Sequence, residues 1–278
     1  MENKILNLKK MATNIRMGAV EAVYNAKSGH PGGALSSADV LACLYFSELR
    51  IDPERPKDPN RDRFVLSKGH SCPGLYAALA NRGYFDVEEL KGFRHLDSFL
   101  QGHPDMKGVP GVDMSAGSLG QGFSCACGMA LAGKIDNKDY RVYTLIGDGE
   151  SQEGQVWEAV MFAAHYKLDN LCLIIDNNGL QIDGKVADVM NTMPYESKLE
   201  AFGWNVISID GHDIEAILDA FEKAKATKGK PSVIVAKTVK GKGVSFMEDQ
   251  AGWHGKAPNA DQYEQAIKEL TEIASNLK

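Results

Sequence analysis

Ile5, Leu8, Ala12, Ile15, Ala19 and Val23 recur at three- and four-residue steps, which predicts a helix over 3–26. Ser28-Gly29-His30-Pro31-Gly32-Gly33 ends it, because three glycines and a proline in so short a run favour turn backbone. A second helix is expected just beyond, with Ser36 or Ser37 as N-cap and Val40, Leu41, Leu44 and Tyr45 on its apolar face. Pro53, Pro56 and Pro59 mark an exposed loop. Phe64-Val65-Leu66-Ser67 reads as a short strand running into Lys68-Gly69-His70, and helices are expected over 74–82, 86–94 and 120–134.

From residue 140 the pattern changes. Short apolar, β-branched runs at 140–146, 171–176, 204–209 and 232–238 are joined by helical stretches at 152–167 and 213–228. Such alternation indicates βαβ units and a parallel sheet with right-handed crossovers. A polar helix over 259–276 closes the chain. With no repeat, low-complexity tract or evident linker, 1–278 reads as a single α/β domain, a mainly parallel sheet flanked by helices. Its helical part covers about 1–135 and its βαβ part about 136–278.

Composition narrows the function. Of 278 residues, 44% are hydrophobic and 24% charged, enough for a large core. The 31 basic against 37 acidic residues give a net charge of -6, which disfavours nucleic acid or an anionic membrane surface as partner. No apolar run approaches the ~18 residues a bilayer span needs, and the first residues lack the apolar stretch of a secretory signal. Five cysteines read as reduced thiols, so a cytoplasmic protein is expected.

The candidate chemistry lies at two strand ends. The strand at 140–146 runs into Gly147-Asp148-Gly149-Glu150, and one βαβ unit later the next strand ends in Asp176-Asn177-Asn178. Asp148 and Asn178 are therefore expected at the carboxyl ends of adjacent parallel strands, where open α/β sheets bind ligands. A carboxylate and an amide oxygen are hard ligands suited to Mg²⁺ or Ca²⁺. Two of them leave an octahedral shell open for a diphosphate, a water and a main-chain carbonyl such as that of Leu180. Gly149 lets the backbone approach a phosphate, and the helix start behind it offers free N–H groups. The pair suits a metal-bridged diphosphate.

Residues 147–178 resemble the thiamine-diphosphate signature, and over about residues 10–260 the chain resembles transketolase. The resemblance is carried by Ser28-Gly29-His30-Pro31-Gly32-Gly33, by residues 63–70 with Lys68-Gly69-His70, by Gly102-His103-Pro104 and by Gly117-Ser118-Leu119-Gly120-Gln121-Gly122. Lys240-Gly241-Lys242-Gly243 and Trp253-His254-Gly255-Lys256 complete it. It implies a thiamine-diphosphate-binding fold of the diphosphate (PP) type, with Asp148, Asn178 and the Leu180 carbonyl on the metal. It also implies that Lys68, Lys240, His70 and Gly149 lie near the diphosphate, and that Gly117, Ser118 and Leu119 pack on the cofactor's rings. Some family members have proline in place of Ser118, so that side chain is not required. His30 and His254 would face the sugar substrate, His254 also the cofactor, and His103 the donor's first hydroxyls. Ketol transfer moves protons near neutral pH, where free imidazole titrates. Glu153 resembles a glutamate that links cofactor sites across the dimer.

His95, His165 and His212 have no motif match and are read as structural. Cys125-Ala126-Cys127 is too tightly spaced for zinc, and Cys72 fits a loop-to-helix junction. In transketolases the glutamate that activates the cofactor lies in a second, pyrimidine-binding domain of the other subunit. The chain is therefore expected to be the N-terminal subunit of a split transketolase of the pentose phosphate type. With a C-terminal subunit, in a heterotetramer, it would pass a two-carbon ketol unit between sugar phosphates. Alternatives are a subunit of a 1-deoxyxylulose-5-phosphate synthase or a 2-oxoacid dehydrogenase, or a non-catalytic cofactor-binding module. Gln152-Glu153-Gly154, the Trp253-His254-Gly255 tail and the four histidine turns favour transketolase.

Overall fold

The computed structural model describes residues 2–277. Helix α1, Glu2–Ala26, buries the predicted stripe of Leu8, Ala12, Ile15, Ala19 and Val23. The turn after it is short. Pro31–Ser36 forms a helix of its own, α2, rather than a purely turn-forming break. Pro31 stands in its first turn, where no N–H is needed, and burial of the whole segment outweighs the poor helix propensity of Gly32 and Gly33. Ser37 stands at the N-cap of the next helix, α3, Ala38–Cys43, but its side chain makes no cap bond. The Ser37 hydroxyl donates back to the Gly33 carbonyl at 2.8 Å, and that of Ser36 reaches Asp176 at 2.6 Å. A π turn, Leu44–Glu48, follows.

Strand β1 is Arg63–Leu66, and α4, Cys72–Arg82, follows a 3-10 turn. The helix expected over 86–94 is a 3-10 turn, Val87–Gly92, capped by Asp86. Next come α5, Gln121–Ile135; β2, Val142–Gly147; a 3-10 turn, Gly149–Gln152; α6, Gly154–His165; and β3, Leu171–Asn177. Between β3 and the next long strand lies a stretch with no predicted counterpart. It holds the small hairpin β4, Leu180–Gln181, with β5, Gly184–Lys185, then α7, Val186–Val189, and α8, Tyr195–Ala201. The chain ends with β6, Asn205–Asp210; α9, Ile214–Ala226; β7, Ser232–Lys237; and α10, Ala260–Asn276, which starts with an Asn259–Gln262 capping box.

The five long strands form one parallel sheet in the order β1-β2-β3-β7-β6. The edge strand β1 comes from the helical first half, so both halves share one sheet. Side chains alternate between its faces. Tyr143, Leu145, Cys172, Ile174 and Ile234 pack under the layer that includes α1, α3, α4 and α9. Val142, Ile146, Leu173, Val233 and Val235 pack under α5, α6 and α8. A smaller cluster seats α10 on Val20, Leu35, Val244 and Trp253. Among the described residues no helix is long and apolar enough to cross a membrane. Parallel pairing brings the carboxyl ends of β1, β2, β3 and β7 to one edge, and with them Lys68, Asp148, Asn178 and Lys240.

Candidate active site

Asp148 follows β2 directly and is 2% exposed. One of its oxygens accepts from the Tyr195 hydroxyl at 2.9 Å and the other from the Gly179 N–H at 2.5 Å. Burial pushes its carboxyl up to about 6, against the pull of these two donors. Asn178 follows β3. Its amide nitrogen donates to Asp176 at 3.0 Å, which turns the amide oxygen toward the Leu180 N–H, 3.1 Å away. Asp148, Asn178 and Leu180 line one cleft of about 330 Å³. Among the described residues no three His, Cys, Asp or Glu side chains cluster as a metal site. A cation held here therefore takes one carboxylate plus amide, carbonyl and ligand oxygens, a set that suits Mg²⁺ or Ca²⁺ bound to a phosphate.

Lys68 and Lys240 border the same cleft, and each is 2% exposed. The Lys68 ammonium donates to Asp176 at 2.6 Å and to the Gly33 carbonyl at 2.8 Å. Asp176 also accepts from the hydroxyls of Ser36 and Thr238 and from Asn178. Burial alone would raise its carboxyl, but the Lys68 charge and these donors hold it below the ordinary range. Lys240 has no such counter-charge. Its ammonium lies 2.9 Å from His254 Nδ1, and among the described residues no carboxylate is within ion-pair distance. Burial, aided by the Lys68 charge, brings it down to about 8. A buried ammonium without a carboxylate is costly, and an anion in the cleft would offset that cost. The donor set thus fits a metal-bound diphosphate.

Three of the four turn histidines pack against one another, with His70 and His254 in the cleft wall and His30 behind them. Ring centroids are 5.2 Å apart for His30 and His70, 5.3 Å for His30 and His254, and 4.9 Å for His70 and His254. His103 stands to one side, where a β-carbon on Gly117 would lie 3.8 Å from its ring. All four imidazoles are lowered from the ordinary histidine value. Burial first, then neighbouring positive charge from Arg94, His103 and Lys240, lowers His30 to about 4. Burial and Lys240 lower His254 to about 3. His70 lies well below its usual value, and His103 is lowered by burial and Arg94. At about 4 and about 3, His30 and His254 are neutral at pH 7, and because His254 Nδ1 accepts from the Lys240 ammonium, its Nε2 is left as a donor. His30 Nδ1 is buried without a partner among the described residues.

Leu119, Gly149 and Glu153 also line the cleft, whereas His30, His103, Gly117 and Ser118 lie outside its walls. Gly117, Ser118 and Glu153 are exposed. Asp176, Glu150 and Tyr195 are site residues that sequence reasoning missed. Asp176 carried a signal, a charge ending an apolar run. Tyr195 carried none. Of the histidines read as structural, His95 and His165 are exposed, while His212 joins Asp39 (2.8 Å) to the Val239 N–H (2.9 Å) beside Lys240.

Comparison with known proteins gives the same picture. The family model described as transketolase, thiamine diphosphate binding domain, matches residues 7–272. A 6-deoxy-6-sulfo-D-fructose transketolase subunit of a Clostridium species is 47% identical over 97% of this chain and 98% of its own length. An apulose-4-phosphate transketolase subunit from Phocaeicola vulgatus is 43% identical over 99% of this chain and 98% of its own length. The solved Campylobacter jejuni transketolase superposes with a TM-score of 0.89 at 39% identity. That match covers 96% of this chain but 42% of the solved one, so the chain spans less than half the length of that enzyme.

Proposed function

The chain belongs to the transketolase family, as a thiamine-diphosphate-binding domain, and on that footing we propose that it is the cofactor-holding subunit of a two-component transketolase. The observation that carries the reading is one cleft lined by Lys68, Lys240, Asp148 and Asn178, with the imidazoles of His70 and His254 in its wall. Thiamine diphosphate, when bound, supplies the nucleophilic carbon that accepts a two-carbon ketol unit. Asp148, Asn178 and the Leu180 carbonyl would hold Mg²⁺ or Ca²⁺, and Lys68, Lys240, His70 and the Gly149 backbone the diphosphate. Gly117, Ser118 and Leu119 would border the rings. Neutral His30 can take a proton from a sugar hydroxyl and return it, His254, whose Nδ1 accepts from Lys240, can donate its Nε2–H to a sugar oxygen, and His103 would serve the donor's first hydroxyls. Glu153, exposed at the cleft rim, would reach a second copy of the site.

The two subunit-length relatives are named as transketolase subunits. By analogy a separate C-terminal-type chain would supply the pyrimidine-binding domain and its activating glutamate, in a heterotetramer. The substrates would be a ketose and an aldose bearing an anionic group such as phosphate. Five unpaired thiols, four of them buried, suit a cytoplasmic setting. The test is an assay of the purified chain with thiamine diphosphate and Mg²⁺, alone and with the candidate partner. Turnover only in the mixture, with all carbons conserved and no CO₂ released, is the expected result. Full activity from the chain alone would refute the two-component reading, and CO₂ release would point to 2-oxoacid chemistry.

A further inference from the structure

Glu150 has the wrong sign for the cleft it borders. It is 2% exposed, lines the cavity assigned to a diphosphate, and has no cationic partner among the described residues. Uncharged donors satisfy it instead. One oxygen accepts from the Ser67 hydroxyl and from the Gly120 N–H at 2.9 Å; the other accepts from the Gly147 N–H at 3.2 Å. The Ser67 oxygen in turn accepts from the Phe123 N–H at 2.9 Å. These donors belong to three separate pieces of chain: the end of β1, the loop that starts α5, and the end of β2.

Both neighbouring glycines serve the same junction. Gly120 enters α5 at φ 82, in the left-handed region. At Gly122 a β-carbon would meet Ser67 Cα at 2.8 Å, so the start of α5 presses on the end of β1. The geometry points to Glu150 as a positioning residue that holds the Gly117–Leu119 loop at a fixed spacing from the Gly147–Gly149 turn. On the reading of the cleft given above, which this inference assumes, that spacing separates the surface facing the cofactor's rings from the turn facing its diphosphate. A carboxylate suits the task because both oxygens accept. In Glu150→Gln one of them becomes an NH₂ facing an N–H.

Amide hydrogen exchange on the free chain tests the positioning without any ligand. Glu150→Gln is expected to speed exchange across residues 118–124 by about tenfold or more, with residues 126–133 unchanged. Ser67→Ala should give the same local pattern at smaller amplitude. Unchanged exchange at 118–124 in both variants would overturn the inference, as would deprotection spread over the whole sheet. Calorimetry with Mg²⁺ then compares thiamine diphosphate with inorganic pyrophosphate, which reaches only the turn. Positioning requires Glu150→Gln to weaken thiamine diphosphate about tenfold relative to pyrophosphate. A purely electrostatic role predicts that both tighten together as negative charge is removed, and that result would sink the proposal. Were the unaltered chain to bind neither, the reading of the cleft would fail, while the exchange data would still decide whether Glu150 fixes the loop.

Discussion

Lys68 and Asp176 are both nearly closed to solvent, and the worth of each depends on the other. Lys68→Met would leave a buried carboxylate with hydroxyl and amide donors but no counter-charge. The expected loss is about 3–5 kcal/mol in urea unfolding, most of it recovered when Asp176→Leu is added. His254 sets a different balance. Its folded pKa of about 3 lies below its unfolded value, so the folded chain binds fewer protons and loses stability as pH falls from 6.5 toward 3. Asp148 and Glu150, raised to about 6 and about 7, act in the opposite direction below neutrality. The histidine is therefore isolated by difference. His254→Gln should lose less stability than the unaltered chain between pH 6.5 and 4.5, by of order 1 kcal/mol after discounting for screening at a half-exposed ring. Equal pH slopes would show that the ring is not held neutral.

At the scale of elements, β2 and β3 were legible because they are continuous apolar runs, each ending abruptly in Gly-Asp-Gly or Asp-Asn-Asn. That contrast marked the cleft, since a parallel sheet buried on both faces presents polar groups only at its ends. The stretch between β3 and β6 was not legible. Its hairpin and short helices carry no sustained period, and its ends are set by contacts with distant residues. Tyr195 is the clearest case. From α8 its hydroxyl meets Asp148, and it lies 2.8 Å from the hydroxyls of both Ser151 and Thr192. Nothing near Tyr195 in the chain announces these partners. The Asp176 cluster was hidden for the same reason, as Ser36, Lys68 and Thr238 arrive from three different elements. Tyr195→Phe is expected to cost about 1–2 kcal/mol in chemical denaturation, because three buried oxygens lose one shared partner. Cation affinity should change too, since an Asp148 oxygen loses a competing donor. A variant with unaltered stability and unaltered Mg²⁺ dependence would show that α8 does not help to hold the site.

Across the whole molecule the acidic surface and the buried ammonium of Lys240 do separate work. A net charge of -6 disfavours nucleic acid, while the Lys240 ammonium, with no ion-pair partner among the described residues, favours one small anion in the cleft. The cleft lies at the carboxyl edge of a single sheet, so on the proposed reading what this chain would bring to catalysis faces one way. In the two-component reading that edge is closed by the partner, and docking is separable from chemistry. Asp148 makes this testable, because at 2% exposure its side chain contributes almost nothing to the outer surface. Asp148→Ala should remove metal-dependent cofactor binding yet leave the face that meets the partner intact. Mixed in equal amounts with the unaltered chain against limiting partner, the variant should therefore lower ketol transfer to about half by occupying partner subunits unproductively. If added variant leaves the rate unchanged, either the two chains do not share a docking face or the cofactor itself is needed to form it. Where the variant does compete, repeating the mixture with saturating thiamine diphosphate and Mg²⁺ added before the partner measures what the cofactor adds to docking. Competition that falls away under pre-loading means that the cofactor helps to build the interface, and competition that persists means that the protein surface alone does.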